Sequence, residues 1–232
     1  MVQGNAMMTD SATQHTTRYT TLWGGGLLAL SGLLLALFGF VGGSFNAVLL
    51  TLYSWVHVLA PILLAVGLLI LAFGARGEGG IMGRSRAGAV AAVTFAAATL
   101  GSQLLNTLDL SKSTPLLWLP GFTGPILTNL VLIWISFGSL LVMAVLIFRA
   151  GVGRGFTRWG LVLVAALTEA PNTWSFLPWP RVDQAGLTVG FEIASGIYLA
   201  GVVVQVVVGI GYALTGQAVA LRHAAKAVND RW

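Results

Sequence analysis

Long apolar runs alternate with short polar connections along the whole chain. Six runs carry at most one charged residue each, and they extend roughly over Leu22–Val41, Val48–Phe73, Ala87–Leu105, Ile126–Phe148, Trp159–Phe176 and Leu187–Leu214. A helix rises 1.5 Å per residue, so each run is long enough to cross ~30 Å of hydrocarbon. The runs lack the period of two that barrel strands require. The pattern therefore predicts an all-α integral membrane protein with six transmembrane helices.

Composition strengthens this prediction. Hydrophobic residues make up 56% of the 232 positions, charged residues only 8%, and the mean hydropathy is +0.87. Soluble domains carry roughly a quarter charged residues. So few charges cannot cover a water-facing surface, and a soluble fold is a remote alternative.

Basic residues fall almost entirely on one side of the predicted spans. Only Lys112 and Arg181 lie in the other connections, whereas ten of the twelve lie before the first span, in the two connections 74–88 and 149–160, or in the C-terminal tail. The positive-inside rule then predicts that both termini are cytoplasmic. This topology divides the chain into a polar N-terminal tail (1–18), a transmembrane domain (19–216) and a basic C-terminal tail (217–232) that meets anionic headgroups.

The placement of the charges also bears on partners and location. Topology and anionic lipid account for the net charge of +5, so we expect no nucleic-acid partner. Arginine outnumbers lysine ten to two, and Gly, Ala and Val are abundant, which is compatible with a GC-rich bacterial genome. We therefore expect a multi-pass protein of a bacterial plasma membrane. Expected partners are membrane lipid, a second copy of the chain or another membrane protein.

Two further features concern helix arrangement. Span starts near residues 19, 87 and 159 are about 70 residues apart, which is compatible with three helical hairpins. The third span contains AGAVAAVTFAAATLG, a run of small residues. Small residues let helix backbones approach closely, so we expect this helix to lie centrally.

The most polar residues of five spans share one leaflet. With both termini inside, His57, Asn106, Asn129, Glu169 and Glu192 all lie in the outer half of their spans. Glu192 is about five residues from the outer end, hence ~7–8 Å deep. Intramembrane polar residues mark functional sites by default. The sequence thus predicts a polar, partly hydrated cavity that opens to the extracytoplasmic side.

Each of these residues has a chemical interpretation and a structural alternative. Glu169 and Glu192 are candidate proton or cation acceptors, His57 their hydrogen-bonding or proton-exchanging partner, and Asn129 and Asn106 polar positioning groups. Alternatively, the glutamates are solvated, and the histidine and asparagines hold helices together. Pro171 follows Glu169 closely, so we expect residues 168–172 to form irregular backbone beside the site.

Three functional classes remain open from the sequence. The leading one is a small transporter-like or solute- or proton-binding protein. The alternative is an accessory or scaffolding subunit, whose aromatic outer loops dock a partner through Trp118, Trp174 and Trp179. The third is an intramembrane enzyme that modifies lipid with a metal or an acid/base pair.

The enzyme class has the weakest support. His57, Glu169 and Glu192 are suitable metal-ligand types, but no HxxxH, HxxE or ExxH spacing accompanies them, and the chain has no cysteine. We therefore assign no catalytic residue, no metal ligand and no cofactor from the sequence.

Overall fold

The described part of the chain is entirely helical. A computed structural model describes residues 18–40, 47–76, 78–81, 85–107, 124–150, 156–174 and 184–229. Within these ranges it contains six helices and no strand. The helices are α1 (Arg18–Phe40), α2 (Ala47–Phe73), α3 (Arg86–Thr107), α4 (Gly124–Ala150), α5 (Phe156–Trp174) and α6 (Gln184–Asn229). The all-α prediction is confirmed.

Five of these helices have the length and apolar character of membrane spans. The qualifying stretches are Tyr19–Leu37, Trp55–Phe73, Arg86–Leu105, Leu127–Arg149 and Glu192–Thr215. In α5 the described apolar stretch, Trp159–Thr168, is shorter. The protein is therefore membrane-embedded, while the sixth span stays a prediction.

The helices form a closed ring in chain order. Each helix packs on its neighbours in sequence, and α1 also packs extensively on α6, which closes the ring. We call the end at which α1, α3 and α5 begin the basic end, because most arginines lie there, and the other end the opposite end. The expectation that α3 lies centrally is wrong. It packs on α2 and α4, and although Phe95 is buried, Val90, Val93, Leu100 and Leu104 are exposed.

Glycines bring the first and last helices into close contact. A Cβ atom on Gly25 would lie 2.6 Å from the carbonyl oxygen of Gly209 and 2.7 Å from the backbone nitrogen of Ala213. No side chain larger than a hydrogen fits at that position without moving a backbone. The α1–α6 seam therefore depends on glycine at its centre.

Among the side chains that the structure describes, the hydrophobic core lies towards the basic end. Its large buried members come from all six helices and include Leu28, Leu68, Leu71, Phe95, Leu140, Met143, Ile147, Leu161, Val164 and Tyr212. In α6, six of the twelve residues from Gly201 to Tyr212 are buried, and they recur singly or in adjacent pairs every three or four positions. This spacing is that of one helix face turned towards a core. We call the part of the bundle from the level of Gly201 to the basic end the packed half, and the remainder the open half.

A folded connection covers the basic end between α2 and α3. Gly74, with a φ of 94°, ends α2, and its N–H donates to the carbonyl of Ile70 at 2.8 Å. Ile81 then folds back, is buried, and donates its N–H to the carbonyl of Leu71 at 2.8 Å. Between them Glu78 accepts hydrogen bonds from the backbone N–H of Thr20 at 2.8 Å and from its hydroxyl at 3.1 Å. A carboxylate at the N-terminus of α1 is favourably placed for the helix dipole.

Two proline positions proved to be helical. The expectation of irregular backbone at residues 168–172 is wrong, because α5 continues to Trp174. Pro171 lies only three residues before that end. Its missing N–H therefore removes one hydrogen bond from the last turn and leaves the preceding turns of the helix intact. Pro61 likewise lies inside the continuous helix α2.

The last helix is much longer than a membrane span. α6 has 46 residues, or roughly 69 Å at 1.5 Å per residue, against ~30 Å of hydrocarbon. It runs through the basic end into the predicted tail, which is helical as far as Asn229.

Candidate functional site

The five predicted site residues lie on five different helices. His57 is on α2 and Asn129 on α4, and both are half-buried, whereas Glu192 on α6 is exposed. Asn106 and Glu169 belong to α3 and α5, but their side chains lie outside the described set. The structure therefore gives side-chain surroundings for His57, Asn129 and Glu192.

The three predicted docking tryptophans are covered only in part. Trp118 and Trp179 fall outside the described residues. Trp174 is the last residue of α5, and its side chain is outside the described set as well.

Asn129 joins two helices. The hydroxyl of Ser102 on α3 donates to Oδ1 of Asn129 on α4 at 2.5 Å. At a second level of the same helix pair, the hydroxyl oxygens of Thr99 and Ser136 lie 3.4 Å apart. Polar contacts of this kind fix helix register in membranes. Asn129 thus has a structural role beside any role towards a solute.

The two predicted acidic residues occupy different depths on neighbouring helices. A Cβ atom on Gly201 of α6 would meet the Cβ of Leu167 and Cγ2 of Thr168 on α5, which sets the register of this antiparallel pair. The backbone of Glu169 therefore lies about level with that of Gly201. Glu192 is nine residues further towards the opposite end, so the two backbone positions differ in depth by roughly 12 Å. The register therefore does not place these two backbone positions side by side.

His57 lies one helical turn from a polar contact at the centre of the bundle. The carbonyl of Ala60 on α2 accepts a hydrogen bond from the Ser31 hydroxyl at 2.7 Å. Pro61, four residues after His57, has no N–H to donate within the helix.

Packing around α6 changes sharply at Gly201. From Glu192 to Ala200 the described side chains include none that is buried, and Ile193 has 58% of its surface exposed. From Gly201 onwards one face is packed into the core. The stretch from Glu192 to Ile197 thus carries a carboxylate on a part of α6 that contacts little of the ring.

A deeply buried amide, Gln205, was not among the predicted site residues. Gln205 has 1% of its surface exposed and lies in the run VVVQVVVG. Its Nε2 donates to the carbonyl of Leu28 at 3.2 Å and to the hydroxyl of Ser31 at 3.1 Å, and Ser31 in turn donates to Ala60. This chain of bonds ties α6, α1 and α2 together. The signal in the sequence was a lone amide in a valine run.

The described residues hold no ready metal centre. Among the side chains that the structure describes, no three His, Cys, Asp or Glu residues come together. Pairs of helices instead share neutral polar contacts, which suit hydrogen bonding to a solute or to another helix.

Comparison with known proteins gives no relative from which to transfer a role. No family model matches the chain, and no curated protein or solved structure is significantly similar to it. Any function must be argued from the residues themselves.

Proposed function

We propose that this chain is a small transporter-like protein that binds a solute or protons in the open half of the bundle. The observation that carries the proposal is the division at Gly201. The described core fills the packed half, whereas the described side chains of α6 from Glu192 to Ala200 include none that is buried. A carboxylate on an exposed stretch of helix beside a packed core is suited to meet a solute from one side.

The proposal extends to the membrane topology. We propose six spans with both termini in the cytoplasm of a bacterial cell, so that the basic end faces inward. α5 supports a sixth span because its 19 residues extend over roughly 28 Å, close to the ~30 Å of the hydrocarbon core. The open half then faces the extracytoplasmic side.

The register of α5 and α6 sharpens the roles of the glutamates. Because Glu169 and Glu192 differ in depth by roughly 12 Å, we propose that they act in succession rather than as one pair. Glu192 would accept a proton or cation near the surface, and Glu169 would receive it at the level where the core begins. His57, Asn129 and Asn106 would provide hydrogen bonds along the way.

Proton flux into liposomes tests this proposal. The protein is reconstituted with a trapped pH-sensitive dye, and flux is driven by a potassium diffusion potential. We expect Glu169→Gln and Glu192→Gln each to slow the flux by about tenfold or more, because an amide carries no exchangeable acid proton. Glu78→Gln is the matched control, since it makes the same change at the basic end.

The flux data also have a clear negative outcome. If wild type, both glutamate variants and protein-free liposomes behave alike, the proton-binding role is wrong. Size-exclusion profiles of each variant establish that any loss reflects chemistry and not unfolding.

A second candidate is an accessory subunit of a membrane complex. It is favoured by the stretch from Glu192 to Ile197, which is largely exposed and combines apolar and polar side chains, as protein interfaces do. Another membrane protein could cover that surface, and the tryptophans predicted from the sequence to dock it are Trp118, Trp174 and Trp179. Native mass spectrometry after mild extraction from native membranes distinguishes the candidates. A stoichiometric protein partner that is lost when these tryptophans are changed to Ala, but kept in Trp23→Ala, supports the subunit.

A further inference from the structure

An apolar groove runs between α3 and α4 on the outside of the ring. Its volume is about 430 Å³, within the range of ligand-binding clefts. It is lined by the small residues Ala87, Ala91 and Gly138 and by the larger residues Val90, Trp134 and Val142. Val90 and Trp134 have 65% and 50% of their surfaces exposed, so the groove faces away from the bundle interior. In a membrane-embedded ring, that direction is towards the acyl chains of lipid.

The length of the groove matches one leaflet. From Val142 to Trp134 it covers eight residues of α4, or roughly 12 Å. Half of the ~30 Å hydrocarbon core is about 15 Å. On α3 the groove extends from Ala87, near the basic end, to Thr94, which is roughly 10 Å.

Two arginines flank the groove at the basic end. Arg86 directly precedes Ala87, and Arg149 lies in the last turn of α4, the helix that forms the other wall. Both side chains are exposed. A guanidinium pairs well with a phosphate oxygen, and long basic side chains reach towards headgroups from the ends of membrane helices. The apolar groove and the two arginines together match the acyl chain and the charged headgroup of an anionic phospholipid.

A second copy of the chain fits this surface less well. A two-fold dimer places the same patch of both copies face to face. It would gather Arg86 and Arg149 of both copies around one contact, where like charges repel. We propose that the α3–α4 groove binds one acyl chain of an anionic phospholipid, with its phosphate held by Arg86 and Arg149.

Trp134 provides a direct readout of the groove. The protein is reconstituted into vesicles that contain either brominated phosphatidylglycerol or brominated phosphatidylcholine, and bromine quenches tryptophan at contact. The signal of Trp134 is the difference between the wild type and Trp134→Phe. We expect phosphatidylglycerol to reach half-maximal quenching at a mole fraction about tenfold lower than phosphatidylcholine, because two basic residues each favour the anionic headgroup.

Three variants separate the headgroup from the chain. Arg86→Gln with Arg149→Gln should remove the preference for phosphatidylglycerol while leaving quenching by both lipids. Gly138→Leu should lower the affinity for phosphatidylglycerol, because its side chain enters the groove. A Cβ at Gly138 meets no atom within 4 Å, so this change leaves the packing intact. Gly26→Leu on α1 is the matched control, since Gly26 is equally open and lies elsewhere on the ring.

Two results would overturn the proposal. Equal quenching by the two lipids in the wild type would identify ordinary boundary lipid. A Trp134 shielded from both lipids, in a protein that elutes as a dimer, would assign the groove to a second copy. Neither result depends on whether the glutamates of the open half bind a solute.

Discussion

In the packed half of the bundle, Gln205 and Ser31 are buried and bound to each other, whereas the described candidates Asn129 and Glu192 are half-buried and exposed. Gln205, Ser31 and the carbonyl of Ala60 form one continuous chain of hydrogen bonds across three helices. Asn129 has a serine partner on one neighbouring helix, and Glu192 is exposed in the N-terminal part of α6. The same residue chemistry therefore stabilises the fold in one half and remains accessible in the other.

The difference shows how a polar residue in a membrane helix should be interpreted. A buried amide must be satisfied within the protein, because hydrocarbon offers it no partner. Once satisfied, it has little capacity left for a ligand. An exposed carboxylate near a membrane surface can reach water and keep its capacity to bind. Substitutions in the packed half should therefore affect stability most, and those in the open half should affect binding most.

The strongest test of the packed half is at its glycine seam. We expect Gly25→Val to lower the free energy of unfolding by about 3 kcal/mol, because its side chain would overlap the backbone of α6. Gly26→Val is the matched control, since a Cβ there meets no atom within 4 Å and the two changes cost the helix the same intrinsic propensity. Thermal unfolding in detergent, followed by circular dichroism, measures both. Equal midpoints for the two variants would mean that the seam is not closely packed.

A smaller effect is expected from the buried hydrogen bonds. A double-mutant cycle with Gln205→Leu and Ser31→Ala should give a coupling energy of about 1 kcal/mol, near the upper part of the range for interhelical bonds in membranes. Unfolding in a denaturing detergent titration supplies the four free energies. A coupling of zero would show that the two side chains do not act together.

The sequence predicted the helices well because their cause is local. Runs of apolar residues, each long enough to span the bilayer, can satisfy their backbones only as helices, so type and approximate bounds followed directly. Apolar periodicity was less informative about Pro171. Pro171 lies three residues before the end of α5 and Pro61 lies well inside α2, and both helices are continuous, so a proline in the sequence did not by itself mark a helix end.

Helix arrangement was harder to predict because it depends on pairs of faces. The small residues of α3 suggested a central helix, yet the close approach occurs at Gly25 and Gly209, which are far apart in the chain. Depth along each span could be estimated from the sequence. Register between helices could not, and it is register that separates Glu169 from Glu192 by roughly 12 Å.

The smallest effect should come from the hydrogen bond of the open half. A cycle with Ser102→Ala and Asn129→Leu should give a coupling energy below about 0.6 kcal/mol, the average for interhelical hydrogen bonds in membranes. Both side chains are only half-buried, so water or headgroups can replace the lost partner after unfolding or mutation. The same denaturation protocol allows direct comparison with Gln205 and Ser31. A coupling as large as theirs would mean that the open half is as tightly closed as the packed half, and a solute site there would lose its main support.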